Sequence, residues 1–89
     1  MNIRIHLHTD DKDVLRRIWW FSEDLYLKFR DSDLAHLPLG EVDAVTTDLL
    51  VRVKSRSKLR RSRAVIEDAL RQHDLFEIAV LTEENGVDS

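Results

Sequence analysis

The sequence predicts an α+β fold of the ferredoxin-like type, a two-layer sandwich in which two helices cover one face of a four-stranded antiparallel sheet. The hydrophobic spacing changes along the chain in the order strand, helix, strand, strand, helix, strand. The 89 residues include only two glycines and one proline, so most of the chain should be regular structure. We expect a single domain over residues 1–82, with the first and third strands at the centre of the sheet, and a flexible tail over residues 83–89.

Strict alternation followed by helical spacing defines the first two elements. In NIRIHLH, residues 2–8, apolar and polar side chains alternate, which is the period of a half-buried strand. Thr9 or Asp10 is expected to cap a helix over residues 11–30, and Pro38 marks the loop that follows. The predicted buried stripe of this helix contains Val14, Ile18, Phe21, Leu25 and Phe29.

Residues 41–54 are expected to form a β-hairpin. The segment is much longer than a typical strand of about five or six residues. We therefore predict strands over residues 41–45 and 49–54, joined by a turn at residues 46–48. The turn lacks an Asn-Gly or Asp-Gly pair, so one long strand is the alternative.

A second helix and a last strand complete the pattern. Ser55 or Ser57 is expected to cap a helix that ends near His73. The last strand is predicted in LFEIAVL, residues 75–81. The inner face of the second helix should contain Leu59, Ile66 and Leu70, with Arg63 and Ala69 at its borders.

The composition limits the chemistry that this chain can perform. Without cysteine it can form no disulfide, thiolate metal site or thiol nucleophile. The motifs G-x-S-x-G, H-E-x-x-H, G-x-G-x-x-G and the P-loop do not occur. The N-terminal segment has no apolar core typical of a secretory signal, and no apolar run approaches the roughly 20 residues that span a bilayer. These observations predict a cytoplasmic protein that is not an enzyme, needs no cofactor and does not enter a membrane.

His6 and His8 share one face of the first predicted strand, where two imidazoles can point toward one metal ion. The string HLHTDD resembles the H-x-H-x-D-H motif of metallo-β-lactamase-fold hydrolases over six residues. It departs from that motif at Asp11, which stands in place of the last histidine, and the chain is far too short for that fold. We therefore predict no metal site, with His6 and His8 as weak candidates, and a capping role for Asp10.

Positive charge is concentrated in residues 52–63, a segment that we call the basic band. It holds seven of the 14 basic residues and no acidic one, which leaves 7 basic and 17 acidic residues elsewhere, a balance of −10. Aromatic residues that would stack bases are missing from the predicted sheet face, so phosphates would bind by charge alone. An acidic protein partner, or pairing with carboxylates of the same chain, is the alternative. The candidate nucleic-acid-binding residues are Arg4, Arg52, Lys54, Arg56, Lys58, Arg60 and Arg61.

The adjacent tryptophans of RRIWWFSED point in different directions, because neighbours on a helix are about 100° apart. Trp19 is expected to close the edge of the core. Trp20 and Leu27 lie opposite the buried stripe among charged residues, and apolar patches with polar rims are typical of interfaces. The candidate partner-binding residues are Arg16, Trp19, Trp20, Glu23, Asp24 and Leu27.

What covers Trp20 is open at this level, and the answer decides the function. The candidates for the cover of Trp20 are the same chain, a second copy of the chain, and another protein. Within the same chain, the cover is either the aliphatic stems of Arg16 and Arg17 or the loop over residues 34–39. We favour a small protein-binding module, of the inhibitor or immunity type, that covers its partner through the first helix. One alternative is a nucleic-acid-binding module that uses the basic band and the open sheet face, and another is a homodimer formed through open sheet faces.

Overall fold

Two helices lie on one face of a four-stranded antiparallel sheet in this computed structural model, which describes residues 1–42 and 46–84. The predicted α+β class, with its antiparallel sheet and two helices, is confirmed. The strand order is β2-β3-β1-β4, so the first and third strands lie at the centre as expected. The elements are β1 (Asn2–His8), α1 (Lys12–Arg30), β2 (Leu39–Val42), β3 (Thr46–Arg52), a 3-10 turn (Arg56–Lys58), α2 (Leu59–Gln72) and β4 (Val80–Glu84). In the described residues, no helix has the length and apolar character to cross a membrane.

The core lies between the sheet and the helices, and β1 is at its middle. Ile5 of β1 is opposite Leu49 of β3 on one side and Leu81 of β4 on the other. The inward residues of β1 are fully buried, because their alternation places all of them under the helices. The predicted stripe of α1 is confirmed for Ile18, Phe21, Leu25 and Phe29, whereas Val14 is partly buried at its border.

The start of α1 differs from the prediction by one or two residues. The N-cap is Asp11, whose Oδ1 accepts a hydrogen bond from the backbone N–H of Asp13 at 2.9 Å. Thr9 and Asp10 do not cap this helix; Thr9 Oγ1 instead accepts from the backbone N–H of Asp11 at 3.1 Å. Three consecutive cap-forming residues precede the helix, and hydrogen-bond geometry selects the last of them.

The hairpin is present, but its turn was predicted in the wrong place. β2 and β3 pair antiparallel, with Leu39 opposite Leu50, which excludes a single long strand. The residues predicted as the turn, 46–48, belong to β3, and residues 43–45 lie outside the described residues. Thr47 is fully buried opposite Leu7. The β-branched Thr47 continues the inward alternation of this strand, so β3 extends through the residues that were predicted to turn.

The second helix is preceded by the 3-10 turn and has no serine cap. Ser55 lies before that turn and makes no side-chain cap hydrogen bond, and Ser57 lies within it. The α-helix begins at Leu59 and ends at Gln72, with His73 as its C-cap. Its buried face contains Ser62, Ile66, Ala69 and Leu70, and Leu59 packs at the edge of the core.

The last strand begins five residues later than predicted. Asp74 adopts a positive φ of 57°, which ends α2, and the backbone N–H of Leu75 then donates to the carbonyl of Leu70 at 2.8 Å. Leu75 is therefore buried under the end of the helix, and the residues that follow it form a turn. Glu83 and Glu84 pair with β1, beyond the predicted domain boundary at residue 82, and residues 85–89 lie outside the described residues.

Candidate functional site

The outer face of α1 carries four large side chains that remain exposed. Trp19 is 52% exposed and Trp20 57%, and Tyr26 and Leu27 are each 43% exposed. The two tryptophan rings meet edge to face, with centroids 5.5 Å apart. The sequence predicts Trp19 at the edge of the core with its ring partly solvated, and the structure leaves Trp19 about half exposed because it lies about 115° around the helix from the centre of the buried stripe.

A groove of about 610 Å³ runs between α1 and the end of α2. From α1, its lining includes Trp20, Glu23, Asp24 and Leu27, four of the six predicted partner-binding residues. Arg17 and, from the end of α2, Gln72 and His73 complete it. Arg16 and Trp19 do not line this groove. The structure thus assembles most of the residues chosen from the helical spacing into one concave surface.

Asp24 serves the junction of the two helices. Its Oδ2 accepts from His73 Nε2 at 3.2 Å and lies 3.5 Å from Lys28 Nζ. The His73 ring also meets the Phe21 ring nearly edge-on, with centroids 6.1 Å apart. Glu23, in contrast, is exposed and forms no ion pair with any residue of the described ranges. Of the two groove carboxylates, Glu23 is therefore the one available to a partner.

Carboxylates of the same chain neutralise part of the predicted cationic surface. Arg4 Nη1 lies 3.0 Å from Asp48 Oδ2, and Arg4 Nε lies 3.3 Å from Glu84 Oε2. Lys54 and Lys58 both bind Asp33. Lys54 also follows the end of β3 rather than lying on the strand. Four of these cations form no ion pair with the side chains of residues 1–40 or 46–84: Arg52, Arg56, Arg60 and Arg61.

The ammonium groups of Lys54 and Lys58, which both bind Asp33, lower the pKa of its carboxyl group. Hydrogen bonds from Lys58 at 2.9 Å and Lys54 at 3.0 Å lower the pKa of Asp33 from 3.8 to about 2. Because the pKa of Asp33 is lower in the folded protein than in the unfolded chain, this carboxylate stabilises the fold at pH values above 3.8, and that contribution is lost as the pH falls from 3.8 toward 2. Carboxyl NMR titration should therefore find Asp33 ionised at pH 3.

Replacing one lysine tests the cause of this shift. In Lys58→Met the Asp33 pKa should rise toward its ordinary value, because the strongest hydrogen bond is lost. Lys12→Met, at the opposite end of α1, should leave the titration of Asp33 unchanged. An ordinary Asp33 pKa in the wild-type protein would show that the lysines do not hold this carboxylate in solution.

The histidine pair of β1 lies on the open face of the sheet. His8 Nδ1 is 3.3 Å from Thr46 Oγ1, and His6 is opposite Asp48 of β3. Within the described ranges no three metal-ligating side chains are grouped closely enough to hold an ion. The pair therefore supports no metal proposal.

His73 and Gln72 are groove residues that the sequence did not indicate, and Arg17 was considered only as a cover for Trp20. Arg17 and Asp24 flank the buried stripe of α1, the position from which a side chain meets a neighbouring helix. That flank could have indicated a contact with α2. Which residue of α2 makes the contact depends on how the helices cross, and spacing along one chain does not specify the crossing.

No family model matches the chain, and no curated protein matches it. The solved structure of Rv0793 from Mycobacterium tuberculosis superposes on it with a TM-score of 0.65. The superposition covers 99% of this chain and 98% of that chain, at 14% sequence identity. A likeness at this identity shows the fold alone.

Proposed function

We propose that this protein is a non-enzymatic protein-binding module that docks a partner on the outer face of α1. One observation carries the proposal: Trp20 and Leu27, each about half exposed, line an open groove together with charged residues of α1. Exposed tryptophan beside a concave apolar surface is typical of binding hot spots.

The chain's own loop does not serve as the cover for Trp20. Ala35 is buried and bridges to Val53 at the end of β3. The backbone N–H of His36 donates to the carbonyl of Arg52 at 2.9 Å, which holds this part of the loop against the sheet. No residue of 34–39 lines the groove. These contacts leave the surface accessible to another molecule.

The proposal is tested by substituting one exposed residue on the outer face of α1 and one on β4 of the sheet. We expect Trp20→Glu to weaken capture of the partner about 30-fold or more, since loss of a hot-spot residue costs about 2 kcal/mol or more. Val80→Glu is the matched control, because Val80 is also 57% exposed but lies on β4. The measurement is quantitative mass spectrometry of captured proteins, with circular dichroism to verify both folds. Capture that survives Trp20→Glu but fails with Val80→Glu would move the interface to the sheet.

A nucleic-acid-binding module is the second candidate, favoured by one observation. Arg56, Arg60 and Arg61 are exposed around the start of α2 and form no ion pair with the side chains of residues 1–40 or 46–84. Against it, carboxylates of the chain neutralise three of the seven predicted cations. In the capture experiment, this second function would be supported by bound molecules that nuclease treatment removes and that the Trp20→Glu variant still binds.

We also propose the ferredoxin-like assignment of the fold. The central position of β1 and β3 and the packing of both helices against one sheet face support it. The inhibitor or immunity-type role, the cytoplasmic location and the homodimer through the sheet stay predictions. Light scattering on a size-exclusion column distinguishes the homodimer, because a monomer at high protein concentration excludes it.

A further inference from the structure

We propose that the partner presents an amphipathic helix to α1, with a basic residue at its centre and an acidic residue near one end. This inference rests on the proposed function and specifies the chemistry of the partner. Three features of the outer face of α1 lead to it: the spacing of its apolar residues, the position of its charges, and the hollows on either side of Glu23.

The four exposed apolar side chains of α1 form two groups that are two turns apart on its outer face. Trp19 and Tyr26 are seven residues apart, as are Trp20 and Leu27. These two rows lie on either side of the direction opposite the core. Residues seven positions apart on a helix lie within about 20° of each other, so the two groups follow one line along the outer face. We call this line the α1 seam; it contains Arg16, Glu23 and Arg30 with the four apolar side chains beside it. The exposed face of α1 therefore fits a second helix laid along it.

The charges on this seam specify the sign of the partner's side chains. Glu23 lies between the two rows, three or four residues from each of the four apolar side chains. Arg16 lies on the same seam one turn before the tryptophans. Arg30 follows one turn after Leu27, but Asp31 Oδ1 is 3.3 Å from its Nε and offsets its charge. A partner thus needs a cation opposite Glu23 and an anion opposite Arg16.

Hollows on both sides of Glu23 can receive the partner's apolar side chains. The first is the groove of about 610 Å³ between α1 and α2. The second, of about 250 Å³, lies between α1 and β2 and is lined by Ser22, Glu23 and Tyr26 with Pro38 and Gly40. Glu23 borders both. Apolar residues flanking the partner's central cation would fill the two hollows while the cation meets Glu23.

A second copy of this chain does not satisfy these requirements. Two-fold pairing of α1 centred on this seam brings the two Glu23 carboxylates together, whether the helices run parallel or antiparallel. In the antiparallel arrangement Arg16 of each copy also lies opposite Arg30 of the other, but Asp31 offsets the charge of Arg30, so the Glu23 pair is the main obstacle. Like charges facing each other across an interface oppose its formation. The seam therefore fits a different protein.

A displayed library of helical peptides, randomised on one face, tests the partner chemistry. Peptides are selected on the wild-type protein and depleted on Trp20→Glu, so that the survivors require the α1 seam. We expect Lys and Arg to exceed Asp and Glu at the central position of these peptides by about tenfold. On the Glu23→Lys bait this preference should reverse, and on Glu77→Lys, an exposed carboxylate in the turn after α2, it should persist.

The inference is wrong if peptides selected on the wild-type and Glu23→Lys baits carry the same charge at their central position. It is also wrong if no selected peptide depends on Trp20. Neither result decides the proposed function, which depends on capture of the natural partner by wild type and not by Trp20→Glu. Light scattering that shows a dimer disrupted by Trp20→Glu would overturn the inference in favour of self-association.

Discussion

Replacing Phe21 with alanine is expected to lower the free energy of unfolding by about 3–5 kcal/mol. Phe21 is fully buried at the middle of α1, and its ring contacts that of His73 where the two helices meet. Truncation removes the apolar surface of the ring and leaves a cavity that the surrounding residues fill only in part. A domain of this size has a total stability of about 4–13 kcal/mol, so the variant should be marginally folded.

The adjacent tryptophan supplies the control for this experiment. Trp20→Ala should cost less than about 1 kcal/mol, because more than half of the Trp20 side chain is already exposed. Urea unfolding followed by far-ultraviolet circular dichroism measures both variants without depending on tryptophan fluorescence. Equal losses would mean that Trp20 is packed against its own chain in solution, which would remove the basis of the proposed docking surface.

The elements with long regular patterns were predictable from the sequence. β1 matches its predicted bounds because seven residues alternate without interruption. Four of the five residues in the predicted stripe of α1 are buried, since one apolar face repeats along five turns. In both elements the periodic pattern of apolar residues covers more residues than the capping signals at its ends. The regular part of the prediction therefore survives the error in the helix cap.

Short elements were misplaced where one residue changes the direction of the chain. Asp74 adopts a left-handed backbone conformation, and an aspartate at the polar end of a helix does not by itself predict this conformation. The apolar residues after it then looked like a strand, although Leu75 packs under α2 instead. The turn of the hairpin was displaced because no Asn-Gly or Asp-Gly pair marks it, and Thr47 continues the inward alternation of β3.

The exposed part of the candidate site was predictable, and its tertiary part was not. Trp20 and Leu27 follow from angles around a single helix. The pairing of Asp24 with His73 joins residues 49 positions apart, and it depends on how α1 and α2 cross. Asp24 was therefore assigned to partner binding, although its carboxylate joins the two helices. The same limit applies to Lys54 and Lys58, whose shared partner Asp33 lies in a different loop.

Replacing Gly40 with alanine is the second substitution expected to destabilise the fold strongly, by about 2–4 kcal/mol. Gly40 has a φ of +149° and pairs with Leu49 in the hairpin. A Cβ atom at this position would lie 2.0 Å from the carbonyl oxygen of Asp48 and 2.9 Å from the Cα of Leu49. Both atoms belong to the backbone of β3, so no side-chain rotation relieves the clash. β2 must therefore move away from β3.

Hydrogen exchange separates this local effect from a general loss of stability. In Gly40→Ala, backbone amides that join β2 to β3 should lose protection before those that join β1 to β4. Leu39→Ala is the matched control on the same strand. Leu39 is largely exposed and contributes through its cross-strand neighbour Leu50, so its truncation should cost less than about 1 kcal/mol. If the two variants exchange alike and unfold at the same urea concentration, the close approach of β2 to β3 at Gly40 does not exist in solution. The hollow between α1 and β2, which Gly40 also lines, would then have a different shape from the one that the proposed partner helix requires.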